Sequence, residues 1–327
     1  MSGGVVDVRD DAGASAARLL ARATAAEAGM AAAQAEALAI IASELATNQR
    51  RYAGGGLVWA RILRRNGVAG VEIEAVDHGP GLGDPTSAFA GEARSPGSLG
   101  IGLAGVRRFA LELDVDARKG EGTRILARVF AGPVPRRPTV AILGRALATE
   151  RVSGDSAGFW RTDEGLLLTL VDGLGHGPLA REAADRAISV AASAPDDKPV
   201  VLLWACAAAL RGTRGAVVAM ARLGGEGAEI DYASVGNIQM GVWNRGTVQR
   251  AAGNPGIVGS ASQRPSRPAG LQLASGALFV MATDGIQDVF SGLELADART
   301  LPPWAIAQRI LAKRGKSHDD AMVVVVK

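Results

Sequence analysis

A proline-rich stretch near the middle of the chain limits what its 327 residues can fold into. Residues Ala131 to Pro138 contain three prolines in eight positions, and proline fixes φ and removes a backbone donor. Neither a helix nor a central strand continues through such a stretch. The chain is also longer than one ordinary hydrophobic core requires. We therefore predict two domains, at residues 1–131 and 139–327, joined by a stiff linker at residues 132–138.

Composition narrows the classes of protein to consider. Apolar residues make up 48% of the chain and charged residues 21%, as in globular proteins. The net charge is +3, and no basic run with interleaved aromatics indicates a nucleic-acid partner. No apolar run reaches the roughly 18–20 residues of a membrane span, and the N-terminus lacks the pattern of a signal peptide. With Cys206 as the single cysteine, we expect a protein of the reducing cytoplasm. Its oligomeric state stays open.

Hydrophobic patterning in the first half predicts a mixture of helices and hairpins. The dipeptide Asn66-Gly67 between two strand-like runs is typical of a tight hairpin turn. The predicted helices cover residues 14–28 and 32–51 and a segment from Val106, and the predicted strands cover 5–8, 57–63, 71–76, 113–117 and 123–130. Hairpins favour an antiparallel or mixed sheet with helices packed against it.

The second half contains many short strands and fewer helices. Strands are predicted at residues 140–143, 157–161, 165–171, 216–223, 228–235, 240–243, 277–282 and 321–326. Helices are predicted at residues 179–194, 200–211 and 303–314. This pattern favours a β-sandwich with helices packed outside it, so the whole chain is expected to be of the α+β class.

Residues 97–105 contain four glycines and lead into the helix from Val106. Glycine lets backbone N–H groups approach an anion closely, and a helix N-terminus adds partial positive charge, so a phosphate is the expected ligand. The spacing Gly100-x-Gly102-x-x-Gly105 also matches the dinucleotide fingerprint, but that fingerprint follows a strand directly, whereas a loop precedes this one. A P-loop is not favoured either, because its near match elsewhere in the chain, Gly315-Lys316-Ser317, has Ile310 in place of the first glycine of that motif.

Two other motifs place polar side chains near this loop. Glu44 and Asn48 are four residues apart and share one helix face. A carboxylate beside an amide oxygen suits activation of a hydroxyl and coordination of Mg²⁺. Asp77 ends a predicted strand and is followed by Gly79 and Gly81, so its carboxylate can meet a ligand where the backbone turns away. Taken alone, the first motif also fits a solvated helix edge and the second an ordinary loop.

The order of these motifs, followed by Gly120-Glu-Gly-Thr123, resembles the GHKL ATPase family over about residues 5–130. Ser43-Glu-Leu-Ala-Thr-Asn48 and the glycine-rich stretch are similar to the RsbT-like branch of anti-sigma and switch serine/threonine kinases. The resemblance implies a two-layer α/β sandwich, the Bergerat fold, that binds ATP and Mg²⁺. A histidine kinase shares this fold, but the three histidines, His78, His176 and His318, lie in predicted turns.

The same resemblance implies a role for each residue of the motifs. Glu44 would be the general base, Asn48 would hold Mg²⁺, and Asp77 would bind the adenine amino group. The remaining residues would shape the pocket, cover the phosphates or line the base, namely Gly79, Gly81, Gly100, Gly102 and Thr123.

Acidic residues in the second half stand where predicted strands begin or end. Asp172 and Asp284 close apolar runs, Asp155 lies in a Ser-Gly-Asp-Ser segment, and Asp319-Asp320 precedes the last strand. Singly, each is an ordinary turn residue. Converging carboxylates about 4 Å apart repel by roughly 4 kcal/mol per pair at an effective dielectric near 20, so together they call for divalent cations. Oxygen ligands select Mg²⁺ or Mn²⁺, and two such ions bind phosphate and activate water.

The segments Asp172-Gly-Leu-Gly-His-Gly177 and Val235-Gly-Asn-Ile238 resemble PPM-type serine/threonine phosphatases, in the SpoIIE-like and RsbX-like branches, from about residue 138 to the end. The resemblance implies an α-β-β-α sandwich and two Mn²⁺ or Mg²⁺ ions. It implies that Asp172 is catalytic and that the metal ligands are Asp155, Asp172, the Gly173 carbonyl, Asp284 and Asp319, with Asp320 as the alternative to Asp319. His176 is either a proton donor or supporting residue of this site, or a turn histidine bonded to the backbone. The family often has two glycines before the first acid, where this chain has Ser153-Gly154.

Together the two resemblances imply a switch-type kinase fused to a phosphoprotein phosphatase. The implied substrates are STAS-domain antagonist proteins of a sigma-factor or stress-signalling cascade. Two alternatives stay open. In one, the first half binds nucleotide and partners without transferring phosphate; in the other, both sites are inactive and the chain is a scaffold.

Overall fold

The structure is a computed structural model, and it describes residues 3–91, 102–162, 165–224, 229–260, 269–291 and 300–327. The chain divides into two compact units, Met1–Thr139 and Val140–Lys327. In the described part of the chain, none of the helices has the length and apolar character needed to cross a membrane.

The first unit combines helices with an antiparallel sheet whose strand order is β1-β2-β3-β5-β4. Its strands are β1 (Gly3–Val8), β2 (Gly56–Arg65), β3 (Val68–Asp77), β4 (Glu112–Lys119) and β5 (Gly122–Phe130). Its helices are α1 (Asp11–Glu27), α2 (Ala32–Asn48), α3 (Pro85–Ala90) and α4 (Gly102–Phe109). The strands confirm the sequence predictions, whereas the short helix α3 was not predicted.

Local sequence explains where these elements begin and end. The Asp10 side chain caps α1 by accepting the Gly13 N–H at 2.8 Å, as expected of an acidic N-cap residue. Asn66 and Gly67 both adopt positive φ, 49° and 80°, which is the conformation of a type I′ hairpin turn. The predicted helix over residues 32–51 is partly wrong, because regular helix ends at Asn48 and a π-helical turn, Gln49–Ala53, follows.

Side chains of β3 alternate between the two faces of the sheet, which explains why the described helices pack on one face only. Val71, Ile73 and Ala75 are buried on the face that the helices cover, since α1 and α2 both contact this strand. Glu72 and Glu74 point to the opposite face, as a period of two requires. The first unit is therefore a helix layer on a five-stranded sheet.

Part of the predicted linker is bound to the first unit. Arg65 forms a buried two-pronged ion pair with Glu112, with N–O distances of 2.5 and 2.9 Å. The same guanidinium donates to the Pro135 carbonyl at 2.8 Å, and the Arg137 N–H donates to Glu112 at 2.7 Å. Residues after β5 are thus held against the sheet by a buried charge pair. The assignment of residues 132–138 as an inter-domain linker stays a prediction.

The second unit contains two antiparallel sheets, with strand orders β6-β15-β14-β11-β12 and β13-β10-β9-β8-β7. The first of them contains β6 (Val140–Arg145), β11 (Gln239–Asn244), β12 (Thr247–Arg250), β14 (Leu278–Ala282) and β15 (Ala321–Val326). The other contains β7 (Asp155–Thr162), β8 (Gly165–Gly173), β9 (Ala216–Gly224), β10 (Glu229–Val235) and β13 (Ala269–Gln272). Sequence patterning predicted all of these strands except β12 and β13.

Helices cover both sheets of this unit. Helices α5 (Pro178–Ser193) and α6 (Pro199–Ala209) pack on the sheet of β7 to β10, and α7 (Pro303–Arg314) packs on β6 and β15. Every residue of the central strand β15 is buried, whereas the edge strand β12 is mostly exposed. The observed architecture is the α-β-β-α sandwich expected from the sequence.

Candidate functional sites

A cavity of about 390 Å³ lies in the first unit, lined by residues of α2, the π-helical turn, β3, β5 and α4. This volume is within the range of small-molecule sites, roughly 300–1,000 Å³. Five of the predicted nucleotide-site residues contribute to its lining, Asn48, Asp77, Gly81, Gly102 and Thr123. Gly100 lies outside the described residues.

Backbone donors hold the Asp77 carboxylate at the end of β3. Its Oδ1 accepts the Gly79 N–H at 2.9 Å, and the Thr123 N–H is a second donor from the paired strand β5. Burial raises the pKa of Asp77 above its ordinary value, and these two N–H groups act against that rise. The carboxylate is therefore fixed in position at the cavity wall.

Gly81 lets the backbone pass close to strand β4. Its φ is +76°, and a Cβ at this position would lie 2.4 Å from the Arg118 carbonyl oxygen. A larger residue would have to push the two segments apart. The predicted role of Gly81 in shaping the pocket has this close approach as its physical basis.

Glu44 lies one helical turn before Asn48 and is only 4% exposed. Its carboxylate accepts the N–H of Gly102, the first residue of α4. Burial raises the pKa of Glu44, although the Gly102 N–H and the positive charge of Arg51 act in the opposite direction. Gly102 and Arg51 both line the cavity, whereas the described lining does not include Glu44 itself.

Gln49, which the sequence analysis did not single out, also lines the cavity. It is 2% exposed, and its Nε2 donates to the carbonyls of Leu57 and Val76 at 3.1 and 3.0 Å. The Gln49 amide thus links the end of α2 to the start of β2 and to the end of β3, one residue before Asp77. Its position directly after Asn48 was the only available hint in the sequence.

Strand pairing brings the acidic residues of the second unit together. Asp155 opens β7 and lies directly opposite Asp172 of β8 in the antiparallel register. Opposed residues of this kind point to the same face, where two like charges are unfavourable. Asp284 follows β14, and Asp319 and Asp320 precede its antiparallel neighbour β15.

The pKa values of these groups record their proximity. Burial, and next the charge of Asp172, raise the pKa of Asp155 well above its ordinary value. Burial, and then the charges of Asp284, Asp319 and Asp320, raise the pKa of Asp172. Burial and the charge of Asp284 also raise the pKa of Asp319. Four of the predicted metal ligands therefore share one electrostatic environment.

The two neighbouring acids Asp319 and Asp320 differ in their contacts. Asp320 is 4% exposed, and its two oxygens accept the Leu147 and Gly154 N–H groups at 2.7 and 2.8 Å. Asp319 is half-buried and has Asp284 and Lys316 as charged neighbours. Both oxygens of Asp320 thus accept backbone N–H groups, so of the two candidates Asp319 has the carboxylate that is more accessible to a cation.

Neutral side chains contact two of the carboxylates. Thr283 Oγ1 donates to Asp155 Oδ2 at 2.7 Å, and Asn237 Nδ2 donates to Asp284 Oδ2 at 3.1 Å. Sequence analysis named neither residue as part of the site. Thr283 could have been suspected only because it directly precedes Asp284.

The donor set fits a divalent cation by its chemistry, since every candidate side chain is an oxygen ligand. Within the described residues, no three or more His, Cys, Asp or Glu side chains are arranged to hold an ion as they stand. Asp172 instead shares a hydrogen bond with Asp284. Rotation of the Asp172 and Asp284 side chains would therefore accompany ion binding.

Gly173 is the last residue of β8, and His176 lies in the loop between β8 and α5. A Cβ on Gly173 would lie 2.1 Å from the Ala180 carbonyl oxygen, so only glycine allows α5 to approach this closely. His176 is exposed, and its Nδ1 lies 2.6 Å from Glu150 Oε1. His176 thus contacts a carboxylate, whereas one alternative from the sequence was a hydrogen bond to the backbone.

Comparison with known proteins assigns both halves. Residues 162–327, just over half of the chain, match the family described as Stage II sporulation protein E (SpoIIE). The chain belongs to the SpoIIE family. Residues 9–129 match the histidine kinase-like ATPase domain, so the GHKL resemblance of the first half is confirmed.

Individual relatives agree with this assignment. The serine/threonine-protein kinase RsbT of Bacillus subtilis is 37% identical over 112 residues, which are 34% of this chain and 84% of that protein. A structure described as "The bacterial stressosome: a modular system that has been adapted to control secondary messenger signaling" contains a chain of similar fold. That chain is 31% identical with a TM-score of 0.55, and the match covers 59% of this chain and all of that one.

RsbX in complex with magnesium has the same fold at a TM-score of 0.50 and 18% identity, over 59% of this chain and 96% of that one. The SpoIIE family match makes the second half a PPM-type serine/threonine phosphatase domain, and the match to RsbT makes the first half an RsbT-like kinase homologue. The pairing of these two domain types is that of a partner-switching regulator.

Proposed function

We propose that the chain both phosphorylates and dephosphorylates serine or threonine on STAS-domain antagonist proteins of a stress or sigma-factor pathway. The observation that carries the proposal is the presence of two separate candidate sites, the cavity around Asn48 and Asp77 and the carboxylates around Asp172. The kinase RsbT and the stressosome chain support the class of substrate.

In the first unit, each residue of the cavity would have one task. Asp77 would bind the amino group of adenine, since its carboxylate is fixed at the wall and accepts hydrogen bonds. Asn48 would hold Mg²⁺, and Glu44, one turn away, would accept the proton of the substrate hydroxyl. ATP would supply the phosphoryl group, and Mg²⁺, when held by Asn48, would neutralise the charge of the phosphates.

In the second unit, Asp155, Asp172, Asp284 and Asp319 would hold two Mn²⁺ or Mg²⁺ ions, with the Gly173 carbonyl as a further ligand. Such ions bind the phosphate and lower the pKa of a bound water. Asp320 would keep the Gly154 backbone in place, because both of its oxygens are already engaged by N–H groups. His176, on the loop after Asp172, would be held by Glu150.

One observation favours a second candidate function, in which the first half binds nucleotide without transferring phosphate. The carboxylate of Glu44 is buried and engaged by the Gly102 N–H. For Glu44 to act as a base, this contact at the start of α4 must open. A nucleotide-dependent binding module would need no such opening.

The two candidates are separated by incubating the full chain with labelled ATP, Mg²⁺ and a STAS-domain protein encoded near its gene. Label on the STAS protein that Glu44→Gln and Asn48→Ala both abolish supports the kinase. Nucleotide binding without any transfer of label, in a chain that still hydrolyses an aryl phosphate, supports the binding module.

A further inference from the structure

Thr283 lies between a backbone donor and a predicted metal ligand. Its side chain is fully buried, and its Oγ1 accepts the Met322 N–H at 3.0 Å. The same hydroxyl donates to Asp155 Oδ2 at 2.7 Å. The Met322 carbonyl is a poorer acceptor for it at 3.4 Å, so the hydroxyl hydrogen is directed to the carboxylate.

The hydrogen bond from Thr283 to Asp155 joins the two sheets of the second unit. Thr283 follows β14 and Met322 lies in the adjacent β15, whereas Asp155 opens β7 of the other sheet. The Thr283 N–H also donates to the Met322 carbonyl at 3.1 Å. The threonine is therefore fixed by main chain on one side and holds a carboxylate from the opposite sheet on the other.

We propose that Thr283 is a positioning residue that fixes the rotamer of Asp155, so that Oδ2 is engaged and Oδ1 faces the cation. The inference rests on the proposed metal-dependent phosphatase function. Residues that hydrogen-bond a metal ligand orient it and increase its affinity for the ion, and their loss typically weakens binding by about 10–100-fold.

An electrostatic argument supports a role of Thr283 in orienting Asp155. The Asp155 carboxylate lies opposite the like charge of Asp172, and this repulsion favours rotation of either side chain away from the other. A buried hydroxyl donor opposes that rotation for Asp155. Within the described residues, it is the one side-chain donor assigned to this carboxylate.

The test is the dissociation constant of Mn²⁺, measured by calorimetric titration of the full chain without nucleotide. Thr283→Val keeps the shape of the side chain and removes its hydroxyl, and we expect Mn²⁺ binding to weaken by about 10–100-fold. Thr283→Ser restores the donor and should bind within about threefold of the wild type. If Thr283→Val does not fold, Thr283→Ala takes its place with the same expectation.

Thr169→Val is the matched control. Thr169 is a fully buried threonine of β8 in the same unit, and its hydroxyl has no hydrogen-bond partner among the described residues. The same chemical change there should leave Mn²⁺ affinity unaltered. A lower melting temperature for Thr283→Val with unchanged Mn²⁺ affinity would mean that Thr283 has a purely structural role and would overturn the proposal.

Asp155→Asn separates this result from failure of the proposed function. If Asp155→Asn weakens Mn²⁺ binding while Thr283→Val does not, only the inference about Thr283 fails. If the wild-type chain binds no Mn²⁺, both the inference and the proposed metal dependence fail.

Discussion

In the first unit the candidate site is a cavity whose polar side chains are held by backbone donors, whereas in the second unit it is a group of like charges at strand ends. Asp77 accepts hydrogen bonds from two N–H groups, which fix its carboxylate at the cavity wall. Asp155 and Asp172 lie opposite each other on adjacent strands, and the charge of Asp172 raises the pKa of Asp155. The first site is organised by shape and the second by charge. Ligands should therefore affect the stability of the second site more than that of the first.

The largest expected effect is on hydrolysis. Asp172→Asn removes a predicted metal ligand from the carboxylate group, and we expect hydrolysis of an aryl phosphate with Mn²⁺ to fall by more than about 100-fold, beyond the usual effect of losing an indirect contact. Nucleotide affinity should not change, because Asp172 belongs to the other unit. Loss of both properties together would contradict the separation of the two sites.

The reciprocal change is expected to be smaller. Asn48→Ala removes the predicted Mg²⁺ ligand from the cavity, and ATP affinity in the presence of Mg²⁺ should weaken by at least about tenfold. Asn48→Asp retains an oxygen ligand and serves as the control. Aryl phosphate hydrolysis should be the same in all three proteins. A fall in aryl phosphate hydrolysis in Asn48→Ala would contradict the independence of the two sites.

The low-pH side of the pH–rate profile of phosphotransfer, its acid limb, tests the electrostatics of the cavity. A base acts in its deprotonated form, and burial raises the pKa of Glu44, so activity should decline with falling pH sooner than for an ordinary carboxyl group. Arg51→Gln removes a positive charge that lowers this pKa and should move the acid limb to higher pH. The pH profile of the transfer rate measures the shift, and a limb that stays in place would exclude Glu44 as the titrating base.

The smallest predicted effect is on stability without metal. Carboxyl groups with raised pKa values hold protons in the folded state that the unfolded state has lost, so their contribution to stability decreases as pH rises through those values. Asp284→Asn removes the charge that most affects Asp172 after burial. In EDTA at pH 8 we expect its melting temperature to exceed that of the wild type by a few degrees, since about 1 kcal/mol corresponds to roughly 2–4 °C for a domain of this size.

Asp288→Asn is the control for this stability measurement. Asp288 is an exposed neighbour in sequence whose pKa lies below its ordinary range because Arg250 donates to it. Neutralising it removes an attraction, so its melting temperature should not rise. If Asp284→Asn melts no higher than wild type in EDTA, or gains as much at pH 5 as at pH 8, repulsion does not dominate the second site.

The sequence predicted most strands because hairpins and apolar runs are local features. Asn66-Gly67 specified its turn, and the continuous apolar run of β15 is visible in the sequence. The π-helical turn after Asn48 could not be predicted, since it depends on hydrogen bonds from Gln49 to Leu57 and Val76, on two strands that only the folded chain brings beside the helix end. Strands β12 and β13 are only four residues long, too short for a pattern to stand out.

For the candidate sites, the sequence shows which acids end strands but not which contacts they make. Asp155, Asp172 and Asp284 could be named because acids at strand ends are visible in one dimension. The contact of Thr283 with Asp155 joins residues far apart in the chain, and no spacing rule reveals it. The difference between Asp319 and Asp320 likewise depends on the backbone of Leu147 and Gly154, which only the folded chain brings near.

The most direct test of a chain that both adds and removes phosphate is a time course of label on one STAS-domain protein. With ATP, Mg²⁺ and Mn²⁺ present, label produced by the wild-type chain should rise and then fall as ATP is consumed. Label produced by Asp172→Asn should rise and remain. Identical time courses for the two proteins, or no label with either, would contradict the account.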